Sequence, residues 1–211
     1  MKKSVKILSA VMAVVLIFAC GVGATLALLS HQTEEVVNTF AANDIIEKGT
    51  FILKEHPSVK QSDGDYEVNV NGELTTGNSY DVIPGTTLGK DPFVKATTKL
   101  DSYMFLEVTD KLAAGMSWAI DDSVWEEAVG VNGVPEGSKL YVLKANILGK
   151  TDANHVLNAD AHEFNIIKNK VVTVGNDMDV SLLTASKTLT FKAYLVQAAG
   201  VDGYAAAWNN K

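Results

Sequence analysis

The sequence predicts an all-β protein, an antiparallel β-sandwich with short helical inserts, preceded by an N-terminal signal peptide helix. Three observations carry that expectation. Apolar residues recur at every second position in several short runs, clusters of Gly, Asn, Asp and Pro separate the runs, and few helical stretches lie between them.

The leader comes first. Lys2, Lys3 and Lys6 make a basic start, and the 23 residues from Ile7 to Leu29 carry no formal charge, which is the pattern of an export signal. A helix of that length, at about 1.5 Å per residue, could cross a bilayer core of roughly 30 Å, so a retained anchor is one outcome. Lipidation at Cys20 is a second, because Ile17, Phe18 and Ala19 resemble a lipobox except for the bulky Phe18. The small residues argue for a third, cleavage. Thr25 and Ala27 have the small-x-small spacing a signal peptidase admits, which places the cut after Ala27, within two residues, and makes Leu28 the first mature residue. The expected division is a signal peptide at 1–27, an extended segment at 28–48 and a sandwich domain at 49–211.

Strands are expected at Thr50 to Lys54, Ser102 to Val108, Lys139 to Leu148 and Lys170 to Val174, with breaks such as Ile83-Pro84-Gly85 between them. Tyr66, Val68 and Val70 alternate with polar neighbours, and Asn71-Gly72 then reads as a hairpin turn. The cleanest alternation is Leu189, Phe191, Ala193 and Leu195, expected to be a central strand. Ser123 to Val129, after the Asp121-Asp122-Ser123 cap region, and Asn158 to Phe164 are expected to be short helical inserts.

Composition excludes several function classes. Removing 27 of 211 residues leaves 184, one domain's worth, enough to bury on the order of 70% of the surface its unfolded chain exposes. Cys20 is the only cysteine, so the mature chain can form neither a disulfide nor a thiolate metal site, which suits a Gram-positive surface. Three of the 18 basic residues lie in the leader and none of the 25 acidic ones do, so 15 basic side chains face 25 acidic ones at a net −10. All the basic residues are lysine. Without arginine forks or a basic patch the chain is not built for nucleic acid, and its acidity serves solubility.

The catalytic motifs are equally sparse. His162-Glu163 is followed by Phe164, Asn165 and Ile166, so the second histidine of a zinc-protease helix is missing, and His155 lies seven residues upstream. There is no Gly-x-Ser-x-Gly elbow, phosphate-binding loop or cysteine nucleophile. Asp121-Asp122 and Asp177-Met178-Asp179 lack the pattern of an EF-hand loop. The expectation is a protein that is not an enzyme, without metal or other cofactor.

Three segments resemble one family. GATLALLSHQTEEVVNTFAANDI, with Asn38-Thr39-Phe40, is similar to the region following the leader in exported proteins processed by the SipW-type signal peptidase, the TasA/camelysin family. NSYDVIPGTTLGKDPFVKAT resembles the "P-G, then K-x-P" lead-in of clostridial relatives, and KTLTFKAYLVQAAGVDGYAAAWNN the last core strand and Gln-to-Trp segment, here Gln197 and Trp208. The resemblance implies a jelly-roll sandwich, secreted to the extracellular or cell-surface space, that self-associates into biofilm-matrix fibres. Its implied partners are the signal peptidase during export and further copies of itself, with membrane contact only through an uncleaved leader. It also implies a donor strand after the signal peptide that completes the next subunit's sheet. Here that segment runs from about Leu28 to Phe40, and Leu28, Leu29, Val36, Val37 and Phe40 supply apolar anchors on a β-favouring stretch. The competing expectation is that the same segment pairs with its own sheet as an ordinary edge strand.

Two other functions remain open on sequence. One is a surface adhesin or carbohydrate-binding module using Trp118, Trp125, Tyr141 and Trp208 as a stacking platform, against the plainer reading that each packs in a core or turn. The other is a camelysin-like surface metallopeptidase, for which the chain lacks the zinc motif.

Overall fold

The computed structural model describes residues 30–32, 51–98, 100–148, 150–157, 162–183 and 187–211. Its thirteen strands are β1 (Ser30–Gln32), β2 (Phe51–Lys54), β3 (Ser58–Lys60), β4 (Tyr66–Val68), β5 (Thr87–Gly89), β6 (Phe93–Ala96), β7 (Ser102–Asp110), β8 (Met116–Ser117), β9 (Trp125–Glu127), β10 (Ser138–Leu143), β11 (His162–Asn165), β12 (Val171–Val174) and β13 (Leu189–Gln197). One helix, α1 (Gly203–Asn209), follows β13. The strands form three sheets, ordered β1-β13-β7-β10-β9, β11-β6-β2 and β3-β4-β5-β12-β8. The chain is an all-β sandwich.

The second and third sheets make one bent layer. Antiparallel pairing of β5 with β12 passes into that of β6 with β11, and two bonds carry the ladder round the bend, Lys90 N–H to the Lys170 carbonyl and Ile166 N–H to the Pro92 carbonyl. Pro92 sits at the break, where a strand tolerates a residue with no N–H to give. Parallel pairing of β4 with β5 brings backbones close. A Cβ on Gly89 would lie 2.6 Å from the Tyr66 carbonyl, so glycine is required there.

This bent layer packs against the five-stranded sheet. Alternate residues of its long central pair, Met104, Leu106 and Val108 on β7 with Phe191, Ala193 and Leu195 on β13, meet Phe51, Val94, Phe164 and Val172 from the opposite layer in the inner core. The outward residues are buried too. Tyr103, Phe105, Leu140, Val142, Tyr194 and Val196 lie beneath Ala207 and Trp208 of α1. Burial on both faces is why β7 reads as an almost unbroken apolar run instead of an alternation.

Several expected elements take another form. Ser123 to Val129 is not helical: Asp121 accepts the Ser123 N–H in a tight turn, and Trp125–Glu127 then pairs as a strand with β10. Side-chain bonding of this kind serves a turn and a helix cap alike, so the cap region misled. In Asn158 to Phe164, residues 158–161 lie outside the described set and His162–Asn165 is a strand paired with β6. Asn71-Gly72 closes a turn but joins no hairpin, because β4 pairs backward with β3 across the Gln61–Asp65 turn. Val70 is exposed beyond the end of β4, and β10 stops at Leu143 with Leu148 fully exposed.

Candidate functional site

The residues expected to carry processing and assembly, Ala27, Leu28, Leu29, Val36, Val37 and Phe40, lie outside the described residues. Their neighbours do not. Ser30, His31 and Gln32 pair antiparallel with Val196, Leu195 and Tyr194 of the same chain. Over those three residues the segment is an edge strand of its own sheet, as the competing expectation had it.

That short pairing leaves most of a long strand uncovered. β13 is paired with β7 along all nine residues, but among the described residues no strand pairs with its other side from Leu189 to Lys192. Across from this stretch lies β2, the outer strand of its sheet, and among the described residues the one pairing on its free side is the Glu55–Thr75 bridge just past its end. Between β2 and β13 opens a groove of about 580 Å³. Leu53, Leu88, Met116, Val172, Leu189 and Phe191 give it apolar walls and floor.

One end of the groove is polar and fully paired. The Glu55 carboxylate, 3% exposed, accepts from Lys90 Nζ at 2.8 Å and Asn78 Nδ2 at 2.9 Å. Tyr80 donates to the Gly89 carbonyl, and burial raises its phenol well above the usual tyrosine range, so it stays protonated. Behind it, Asp91, 2% exposed, takes the His56 N–H at 3.0 Å and approaches His56 Nδ1 at 2.7 Å and Lys170 Nζ at 3.7 Å. The Glu55–Lys90 and His56–Asp91 contacts each span 35 residues, out of reach of motif reading. The one sequence signal is that His56 and Asp91 each precede a proline, which holds both in extended backbone.

The histidines are the sequence's candidates for catalysis or metal binding. Among the described residues the His56 ring is hydrogen-bonded to Asp91 and to no serine or threonine hydroxyl that could act as nucleophile, while its carbonyl accepts from Asn78 Nδ2 at 2.9 Å. His155 Nδ1 lies 3.0 Å from the Leu143 carbonyl and 3.3 Å from Glu126, and His162 opens β11 opposite Ala96. Among the described residues no group of three or more His, Cys, Asp or Glu is placed to hold a metal, and no helix is long and apolar enough to cross a membrane.

The four candidate stacking residues do not share a surface. Trp125 is buried in the inner core and donates to the Asn165 carbonyl; Trp208 is buried in the outer cluster and donates to the Asn132 carbonyl. Trp118 packs edge-on against Phe191, with its indole N–H on Asp110, and Tyr141 packs against the inner core. Compared with family models, curated proteins and solved structures, the chain matches none of them.

Proposed function

We propose that the protein is a secreted structural subunit of extracellular matrix fibres, assembled by exchange of its N-terminal strand. The observation that carries this reading is the mismatch at β13, a nine-residue strand of which β1 covers three residues beside an apolar groove. A strand edge is the natural template for another strand, since backbone bonds supply affinity and side-chain pockets supply register. In this reading β1 rests on its own β13 in the monomer and on a neighbour's β13 in the fibre, a swap of identical contacts. Residues 33–40 then run on into the neighbour's groove, with Val36, Val37 and Phe40 as anchors. The leader directs export, a signal peptidase releases the strand, and no catalytic step is required of the chain.

The adhesin reading has less support, because two of its three tryptophans are core residues in separate clusters. Negative-stain microscopy of the chain starting at Leu28, beside a variant lacking residues 28–40, tests the proposal. Fibres are expected from the first, and a cooperatively melting monomer from the second. Fibres of normal yield from the deletion variant would overturn it.

A further inference from the structure

Lys90 differs from the other lysines that form ion pairs. Its side chain is 13% exposed and that of its partner Glu55 4%, whereas the lysines of the other described pairs are at least 42% exposed. Desolvation of two charges offsets most of their attraction, so a buried pair of this kind is weakly explained by stability alone.

A third group completes the cluster. Glu55 accepts from Lys90 Nζ on Oε2 at 2.8 Å and from Asn78 Nδ2 on Oε1 at 2.9 Å, so one carboxylate holds an amine and a primary amide side by side. The backbone fixes which way that amide points. Ser58 N–H donates to Asn78 Oδ1 at 3.0 Å, and the His56 carbonyl accepts from Nδ2 at 2.9 Å, so exchanging oxygen and nitrogen would set donor against donor. The Tyr80 ring lies against the amine, its centre 6.0 Å from Lys90 Nζ, and Leu53 and Leu88 line the groove beside them.

An amine, an amide carbon and a carboxylate bonded to both are the parts of an amide exchange. We infer that Lys90 and Asn78 are the site of a spontaneous isopeptide bond, formed once by the folded chain on itself, with Glu55 carrying the protons. Glu55 takes a proton from the Lys90 ammonium, and the freed amine attacks Asn78 Cγ. Negative charge develops on Oδ1, where the Ser58 N–H already points. Glu55 passes protons from the attacking nitrogen to Nδ2, the Cγ–Nδ2 bond breaks, and the nitrogen leaves as ammonium. An alkylammonium and a primary amide thus become a secondary amide and an ammonium ion, with no oxidation and no co-reactant, and Glu55 ends as a carboxylate again. Fixed geometry supplies the driving advantage, since well-oriented groups within one molecule react at effective concentrations of about 10⁵–10⁸ M.

The bond ties the groove wall at Asn78 to the end of β5, where Lys90 follows Gly89. With Cys20 as its only cysteine the chain can close no disulfide on itself, and this link gives it a covalent tie that reductants do not open. The inference is independent of fibre assembly.

The test is peptide mapping of the folded full chain, denatured and digested with trypsin, in wild type and in Glu55→Gln, Lys90→Arg and Asn78→Ala. Trypsin cuts after lysine, so an unlinked wild type releases 61–90. The linked chain is expected to release 61–95, lighter than its sequence by one ammonia, with a loop between 78 and 90 that yields no backbone fragments. Most of the wild type should be linked and none of the three variants. Glu55→Gln keeps the side chain's size but cannot carry the protons, and the wild-type map decides the matter even where a variant fails to fold. Peptide 61–90 at full mass, after days of incubation of the folded wild type, overturns the inference. So does ammonia loss located at Asn71, which precedes Gly72 and can close a succinimide alone; hydroxylamine opens that ring and leaves an isopeptide intact. A link that forms as fast in Glu55→Gln as in wild type overturns the role of Glu55.

Discussion

The two edges of the five-stranded sheet are finished differently. β9 is three residues long, carries Glu126 and Glu127, and is anchored by Trp125, 1% exposed with its indole N–H on the Asn165 carbonyl. Short, charged edge strands resist pairing with other chains. Toward the opposite edge lies the nine-residue β13, which leads with Leu189 and Phe191 beside a groove and, among the described residues, is covered on its outer side by the three residues of the edge strand β1. One edge is closed by its own composition; the other depends on a separate segment. Under the proposed strand exchange, such asymmetry would give assembly a direction, because among the described residues one side of the sheet is left as the better template.

Trp125→Ala should have the largest effect, since it empties a core site and removes the donor to the Asn165 carbonyl at the closed edge. A loss of about 3–5 kcal/mol is expected in chemical denaturation. A loss under about 1 kcal/mol would mean that β9 is closed by its charges and not by its anchor.

Tyr194→Phe comes next. The Tyr194 hydroxyl donates to Glu107 at 2.8 Å, and Glu107 is 4% exposed. Losing the donor leaves a buried carboxylate short of a partner, at about 1–3 kcal/mol. Burial first, then the bond to Glu107 and its charge, raise the Tyr194 phenol above its unfolded value of about 10. Its contribution is therefore complete below about pH 10 and is lost above it, as the unfolded chain ionises where the folded one resists. Wild-type Tm should fall more steeply above pH 10 than that of Tyr194→Phe. Parallel curves would show that this pair does not set the alkaline limit.

His31→Pro/Gln32→Pro separates folding from assembly. Successive strand residues point their N–H groups to opposite sides, so the tandem change removes whichever donor faces β13. Monomer stability should drop by about 1 kcal/mol or less, while fibre yield falls below detection. Intact fibres would remove β1 from the interface. The smallest effect is expected of Lys139→Ala, which breaks an exposed pair with Glu127 at 3.0 Å, for about 0–1 kcal/mol by thermal melting.

How much of this was legible depended on whether the physics was local. Most of β13 was readable, from Leu189 to Leu195, because its inner face alternates cleanly through Phe191, Ala193 and Leu195; the strand runs on to Gln197. β7 and β12 were readable as apolar runs between breaks. The helix α1 was not foreseen: Gly203–Asn209 has little polar patterning, and it is buried against a sheet face built from β7 and β10, more than sixty residues upstream, and from β13. The β9 turn and an N-cap share the same Asp-Asp-Ser chemistry, so only pairing with β10 could decide between them. Within the site, the groove and the Glu55–Lys90 and His56–Asp91 pairs arise from strands distant in sequence.

Trp118 gives the molecule an optical handle. Its indole packs edge-on against Phe191 at 5.8 Å between ring centres, and Phe191 lines the groove. The other two indoles sit in buried surroundings within the inner core and beneath the helix. Solvent relaxation around Trp118 alone should therefore respond when the groove fills. A blue shift and reduced quenching of its emission would follow strand exchange in real time, without a label.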